Sequence, residues 1–267
     1  MAYTEVEDGV RLFHLVLGQG RPIVLLHGWT MSHLVWDRLV PELAGSHSVV
    51  LPDLRGHGDS DKPLGPYDVD RQARDVAALL DRLGLGDVTL VGWSFGGTTA
   101  IRTASRYGER LAQLVLVNAA GPKYLAGDGF PHGHSEETLA DWLRQEREET
   151  AAFRRFCMAS MPRRAYDGLF TDWLWQQSMR TPSWAAAPML EAYARADLRD
   201  ELSEIRVPTL VLHGVHDEFC AIEAARCLAA RVERAELVEF SESGHSPQWE
   251  ENRGFMRELN TFLAGRL

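Results

Sequence analysis

Apolar residues fall along this chain in short continuous runs separated by polar, glycine-rich stretches. Ile23-Val24-Leu25-Leu26, Val49-Val50-Leu51, the run 88–91, the run 114–117, Thr209-Leu210-Val211-Leu212 and Leu237-Val238-Glu239-Phe240 each predict a strand. Runs without alternation are the pattern of strands covered on both faces. Between them the apolar period lengthens. Leu34, Val35, Leu39 and Leu43 predict a helix over 32–43. Ala73, Val76, Leu80 and Leu83 predict one over 69–83, with Asp68 as its cap and Gly84 as its stop. Further helices are expected after Ser94 as far as Tyr107, with Gly108 as the C′ residue, and over 252–263. Asp8-Gly9 lies between two strand-like stretches and predicts an opening hairpin closed by a type I′ turn. Strands alternating with helices imply a mostly parallel sheet with helices on both faces.

The alternation stops after Gly121. Over 122–206 no strand is expected. Helical patches at 136–149, 150–159 and 183–196 are broken by Pro131, Pro162, Pro182 and Pro188. This stretch holds four of the eight tryptophans: Trp142, Trp173, Trp175 and Trp184. It reads as a helical insertion over the sheet, leaving 1–121 and 207–267 as the core. No internal repeat is present.

Composition narrows the function classes. The 267 residues carry a formal net charge of -10, which argues against a nucleic-acid partner. The first nine residues are acidic and poor in apolar side chains, so they do not read as a secretory signal. No apolar run is long enough to cross a bilayer. Three scattered cysteines, Cys157, Cys220 and Cys227, fit reduced thiols and a cytoplasmic location.

The candidate chemistry starts at Gly92-Trp93-Ser94-Phe95-Gly96, between a strand run and a helix. A sharp strand-to-helix turn exposes the serine hydroxyl, needs small residues on either side, and aims the Phe95 N–H at the same point. A serine nucleophile needs a base, usually a histidine held by a carboxylate. Such partners belong on loops at the carboxyl ends of later strands. The run at 209–212 feeds His213-Gly214-Val215-His216-Asp217-Glu218, and that at 237–240 feeds Gly244-His245. The expected set is therefore Ser94, Asp217 and His245, with Glu218 as the alternative to Asp217. Asn118 follows the run 114–117, so no carboxylate competes from that strand end. The second oxyanion donor is expected from His27-Gly28-Trp29, as the Trp29 N–H, with His27 bonding to loop backbone. Trp29, Trp93 and Trp249 flank these residues and are candidate walls of an apolar or aromatic substrate pocket. His57 and Arg55 are read as structural. The arginines 154, 155, 163 and 164 are read as part of a solvated, salt-bridged face. Neither His132-Gly133-His134 nor His213/His216/Asp217 has zinc-site spacing, and no metal or cofactor is expected.

These motifs resemble the α/β-hydrolase superfamily, in the lineage of small serine esterases, lactonases and cofactor-free haloperoxidases or perhydrolases. The resemblance rests on His27-Gly28-Trp29, Asp53-x-x-Gly56-x-Gly58-x-Ser60, Gly92-Trp93-Ser94-Phe95-Gly96-Gly97, His213-Gly214-x-x-Asp217 and Gly244-His245. It implies an eight-stranded, mostly parallel, doubly wound sheet, with 122–206 as a helical cap inserted after the sixth strand. It implies hydrolysis of a small carboxylic ester or lactone through an acyl-enzyme on Ser94. Serine at the elbow sets aside the dehalogenase and epoxide-hydrolase branches, which carry aspartate there. Trp93 is not the polar neighbour usual in carbon–carbon bond hydrolases, although a cap arginine could still serve that chemistry. Perhydrolysis by the same triad, and a ligand-binding receptor on the same fold, are the remaining readings. Nothing in the sequence sets the natural substrate or the oligomeric state.

Overall fold

Eight strands form one sheet in the computed structural model, which describes residues 1–265. They are β1 Ala2–Glu7, β2 Val10–Leu17, β3 Arg21–Leu26, β4 His47–Pro52, β5 Val88–Trp93, β6 Leu111–Val117, β7 Thr209–Gly214 and β8 Ala235–Phe240. Their order across the sheet is β1-β2-β4-β3-β5-β6-β7-β8. β2 runs antiparallel to β1 and β4, and every other pair is parallel. In β5 and β7 every residue is buried, as their unbroken apolar runs require. Successive side chains point to opposite faces. Val24, Leu26, Leu90 and Leu116 therefore pack into one core, and Ile23, Leu25, Val91 and Val117 into the other.

Among the described residues the α-helices are α1 Val40–Leu43, α2 Val69–Arg82, α3 Phe95–Tyr107, α4 Glu136–Glu148, α5 Thr150–Ser160, α6 Gly168–Ser178, α7 Ser183–Arg195, α8 Ile222–Arg231, α9 Pro247–Glu250 and α10 Asn252–Leu263. α2 begins as its sequence predicts, the Asp68 carboxylate accepting the Arg71 N–H at 2.9 Å. α4 to α7 all lie between β6 and β7. Among the described residues, 122–206 has only isolated bridges, such as Leu125 with His134, and no strand. Also among them, no helix is long and apolar enough to cross a membrane. The three cysteines are free.

Several local expectations fail for identifiable reasons. The helix expected over 32–43 is a 3-10 turn, His33–Trp36, followed by the single turn α1. Asp53 Oδ1 takes the His33 N–H at 2.6 Å, and Pro41 has no N–H with which to continue a helix through that point. The opening hairpin has a register shift between Glu5 and Glu7, and only Gly9 of its turn has positive φ. A type I′ turn needs two such residues; here a bulge supplies the twist. Gly108 does not terminate α3 in the left-handed region: its φ is -70° and it opens a 3-10 turn. Pro188 does not break α7 but lies inside it. α6 was not expected at all. Leu169, Phe170, Trp173, Leu174 and Trp175 distribute apolar side chains around its circumference, which erases the helical period. α8 is also missed, its stripe being mostly alanine.

Candidate active site

β5 leads directly into Ser94, whose φ of 55° and ψ of -119° put it in a conformation L-residues rarely adopt. The surroundings hold it there. Ser94 N donates to Val117 O at 2.9 Å, and Gly97 N returns to Ser94 O at 2.9 Å. A Cβ on Gly92 would lie 2.2 Å from Gly96 O, and one on Gly96 would lie 2.4 Å from Leu26 O. The small residues expected beside the serine are thus sterically required. The loop after β3 also approaches, though less tightly, since a Cβ on Gly28 would lie 3.1 Å from Ser94 Cβ. Gly28, Trp29 and Ser94 line one cavity. The Trp29 indole N–H donates to Ala186 O at 2.9 Å, tying this loop to α7.

The loops after β7 and β8 bring Asp217 and His245 together. Asp217 Oδ2 accepts from His245 Nδ1 at 2.8 Å and from Asn118 Nδ2 at 2.7 Å. Its Oδ1 accepts the backbone N–H groups of Phe219 at 2.8 Å and Cys220 at 3.1 Å. One carboxylate therefore both ties down its own loop and faces the imidazole. Burial pushes the Asp217 carboxyl up; the charge and hydrogen bond of His245, then His213 and Asn118, outweigh it and hold it below its usual value. Glu218 is exposed, whereas Asp217 is buried against His245. The bond to Asp217 occupies His245 Nδ1 and leaves Nε2 for the cavity that Ser94 also lines. His245 N donates to Met161 O at 2.7 Å, and its carbonyl accepts the Trp93 indole N–H at 2.8 Å. Its ring sits between Trp93 and Phe219, with centroids 5.4 Å and 5.3 Å away.

The sequence motif 53–60 braces the site from behind. Asp53 Oδ1 holds the His33 N–H, and Oδ2 takes the Asp59 N–H at 2.7 Å. A Cβ on Gly58 would overlap that carboxylate at 2.0 Å. Arg55 is buried against Asp75, with Nε–Oδ2 at 2.6 Å. His27 bonds to loop backbone as expected: Nδ1 donates to Gly28 O and Nε2 accepts the Leu54 N–H, both at 2.9 Å. Burial pushes the His27 pKa from 6.5 down to about 4, and that of His57 well below its usual value. The folded protein therefore holds these rings neutral, and protonation favours the unfolded chain. The His27 contribution is full above pH 6.5 and is lost as pH falls toward about 4, and that of His57 is lost in the same direction. One such imidazole amounts to roughly 3 kcal/mol when the loss is complete. The urea midpoint is expected to fall steadily over that range; an equal midpoint at about pH 7 and about pH 4.5 would overturn this account.

The cavity wall is apolar and aromatic. Trp29, Trp93, Tyr124, Trp142, Phe153 and Tyr193 contribute rings, with Met31, Met158, Met161 and Leu190 between them. Among the described residues, no Asp, Glu, Lys or Arg lines it. Burial also raises its other ionisable groups: Tyr124, Tyr193 and Cys220 well above their usual values, and Cys157 to about 12. The lining is thus uncharged at neutral pH apart from whatever His245 carries.

Two expectations about the surroundings are corrected. Trp249 is not a pocket wall. It packs behind Trp93, centroids 5.4 Å apart, and its indole N–H donates to Val35 O at 3.1 Å. Arg154 is not on a solvated face. It is wholly buried, with Nε on Glu146 Oε2 at 3.0 Å and Nη1 on the carbonyls of Ser178 and Thr181 at 2.5 and 2.6 Å. Its guanidinium also lies over the Trp29 ring, 5.9 Å from the centroid. Arg155 pairs with Asp172, and Arg163 and Arg164 with Glu242, all at the surface. The sequence reading also missed Asn118. Its φ of 41° directs the amide between Asp217 and Gly244 O, 3.1 Å away, while Oδ1 takes the Gly214 N–H at 3.3 Å. Asparagine's tolerance of left-handed φ at a strand end was the available signal.

Among the described residues, the metal-ligand types that converge are Asp217, Cys220 and His245, whose candidate atoms lie within 4.8 Å of one another. Asp217 and His245 are already bonded to each other there. His134 Nε2 instead bonds to Phe219 O at 2.9 Å.

A family model described as the alpha/beta hydrolase fold matches residues 21–252. The chain is 32% identical over 268 residues to the AB hydrolase superfamily protein YisY of Bacillus subtilis, covering 98% of this chain and 97% of that protein. It is 31% identical over 256 residues to a non-heme haloperoxidase of Rhodococcus erythropolis, covering 92% and 93% respectively. Among solved structures, the esterase EaEST from Exiguobacterium antarcticum superposes with a TM-score of 0.95 at 26% identity, covering 98% of each chain.

Proposed function

The chain belongs to the α/β-hydrolase family, and on that premise we propose that it is a serine hydrolase of small, uncharged carboxylic esters or lactones. The observation that carries the proposal is the Asp217–His245 pair at 2.8 Å, its free Nε2 sharing a cavity with a serine on a strained elbow. His245 Nε2 removes the Ser94 proton as the hydroxyl attacks the carbonyl carbon. Asp217 fixes the ring orientation and stabilises the imidazolium. The N–H groups of Trp29 and Phe95 hold the oxyanion, each such donor being worth roughly 3–4 kcal/mol. His245 then protonates the leaving alcohol, and water attacks the acyl-enzyme by the same route. Residues 1–121 and 207–267 form the hydrolase core in this reading, and 122–206 is the cap that shapes the pocket. Its uncharged lining disfavours substrates with a carboxylate or ammonium near the reacting carbon. No cap arginine lines the pocket, which weighs against carbon–carbon bond hydrolysis.

A second reading draws on the likeness to a non-heme haloperoxidase: peroxide replaces water in the deacylation half and releases a peracid. Both readings need the same nucleophile. A fluorophosphonate is expected to modify Ser94 with about one equivalent, and ester turnover is expected to fall in proportion to labelling. Full labelling of Ser94 with turnover undiminished would overturn both.

A further inference from the structure

We infer that Phe219 sets the length of the alcohol portion this site accepts, by closing off a second cavity behind it. The inference rests on the hydrolase reading above. Three residues, Tyr124, Phe219 and Cys220, line both the cavity containing Ser94 and His245 and a smaller one beyond it. The far chamber is bordered by Lys123, His132, His134 and Ala224. A shared wall of three side chains separates the two spaces. Tyr124 is wedged among other rings, with the centroids of His134 and Tyr193 at 4.9 and 5.7 Å. Cys220 is small and buried, and its carbonyl bonds to His213 Nε2 at 2.7 Å. Phe219 is only partly buried, and its ring is the largest removable part of the wall.

The Phe219 backbone is held independently of its ring. Asp217 Oδ1 takes its N–H at 2.8 Å, and His134 Nε2 meets its carbonyl at 2.9 Å. Truncating the side chain therefore opens a passage without releasing the loop. The ring packs on His245, centroids 5.3 Å apart. Since His245 must protonate the departing alcohol, the leaving oxygen lies against this imidazole. The ring that flanks it borders the alcohol group rather than the acyl group.

The test uses two ester series with wild type, Phe219→Ala and Phe219→Leu. One series is acetates of primary alcohols from methanol to octanol; the other is ethyl esters of straight-chain acids from acetic to octanoic. The space gained is that of the lost ring plus a small chamber, so in Phe219→Ala the kcat/KM ratio of butyl to ethyl acetate is expected to rise by about tenfold or more. Phe219→Leu should rise less, and the ratios in the acid series should stay as in wild type. Ratios are the readout because losing the contact with His245 lowers all rates together. An unchanged alcohol series, or equal broadening of both series, overturns the inference. If Phe219→Ala does not fold, the same comparison with Phe219→Leu decides. Turnover that persists in Ser94→Ala/Phe219→Ala would instead break the hydrolase reading, so the two failures are distinguishable.

Discussion

Ser94→Ala is expected to lower kcat/KM for the best ester substrate by about a million-fold, with little change in stability. In the proposed mechanism the loss is large because the hydroxyl is the group that forms the acyl bond, and among the described residues no neighbouring side chain offers a replacement. Cys220 reaches the same cavity, but burial holds its thiol protonated. The fold should not suffer. Alanine meets the same left-handed backbone as serine does, and the elbow is held by backbone bonds from Ser94 N and Gly97 N. Thermal unfolding should therefore overlay wild type while turnover drops to background. Retention of a tenth or more of the wild-type rate would show that the nucleophile lies elsewhere.

The second large effect concerns stability. Arg154→Met should destabilise the protein by about 3–5 kcal/mol, because it leaves the Glu146 carboxylate buried without its partner. Both side chains of the pair are fully buried. The carbonyls of Ser178 and Thr181 lose a charged donor as well. Replacing both partners, as Arg154→Met/Glu146→Leu, should recover much of the loss, since no unpaired charge then remains. Urea unfolding of the two variants checks this. A single variant within about 1 kcal/mol of wild type would mean that water reaches the pair.

Much of the fold was legible because buried parallel strands announce themselves. Near-continuous apolar runs became β3, β5, β6 and β7, and the polar loops behind β3, β7 and β8 carry Trp29, Asp217 and His245 respectively. What failed depends on contacts that sequence proximity does not encode. Trp249 is four residues from His245, yet the turn of α9 sends its indole toward Val35. Arg154 has acidic neighbours along the chain, the mark of a surface helix. Its burial is decided by carbonyls 24 and 27 residues away. Asn118 meets Asp217 across 99 residues, and only the adjacency of β6 and β7 makes them neighbours. In 122–206 the ring-rich α6 has apolar side chains all round, so no helical period follows Asp167 to identify it as the cap that it is.

The stretch 161–166, between β6 and β7, is tied to the loop after β8. His245 N bonds to Met161 O at 2.7 Å, Arg163 N to Glu250 Oε2 at 2.7 Å, and Tyr166 Oη meets Ser246 Oγ at 2.6 Å. A Cβ on Gly244 would lie 2.5 Å from that same Met161 carbonyl. The stretch 161–166 thus lies between β6 and β7 yet behaves as scaffold for the imidazole. A chimera that exchanges everything between β6 and β7 would change specificity and misplace the proton acceptor at one stroke. Recombination points that retain 161–166 with the host sheet would separate the two effects.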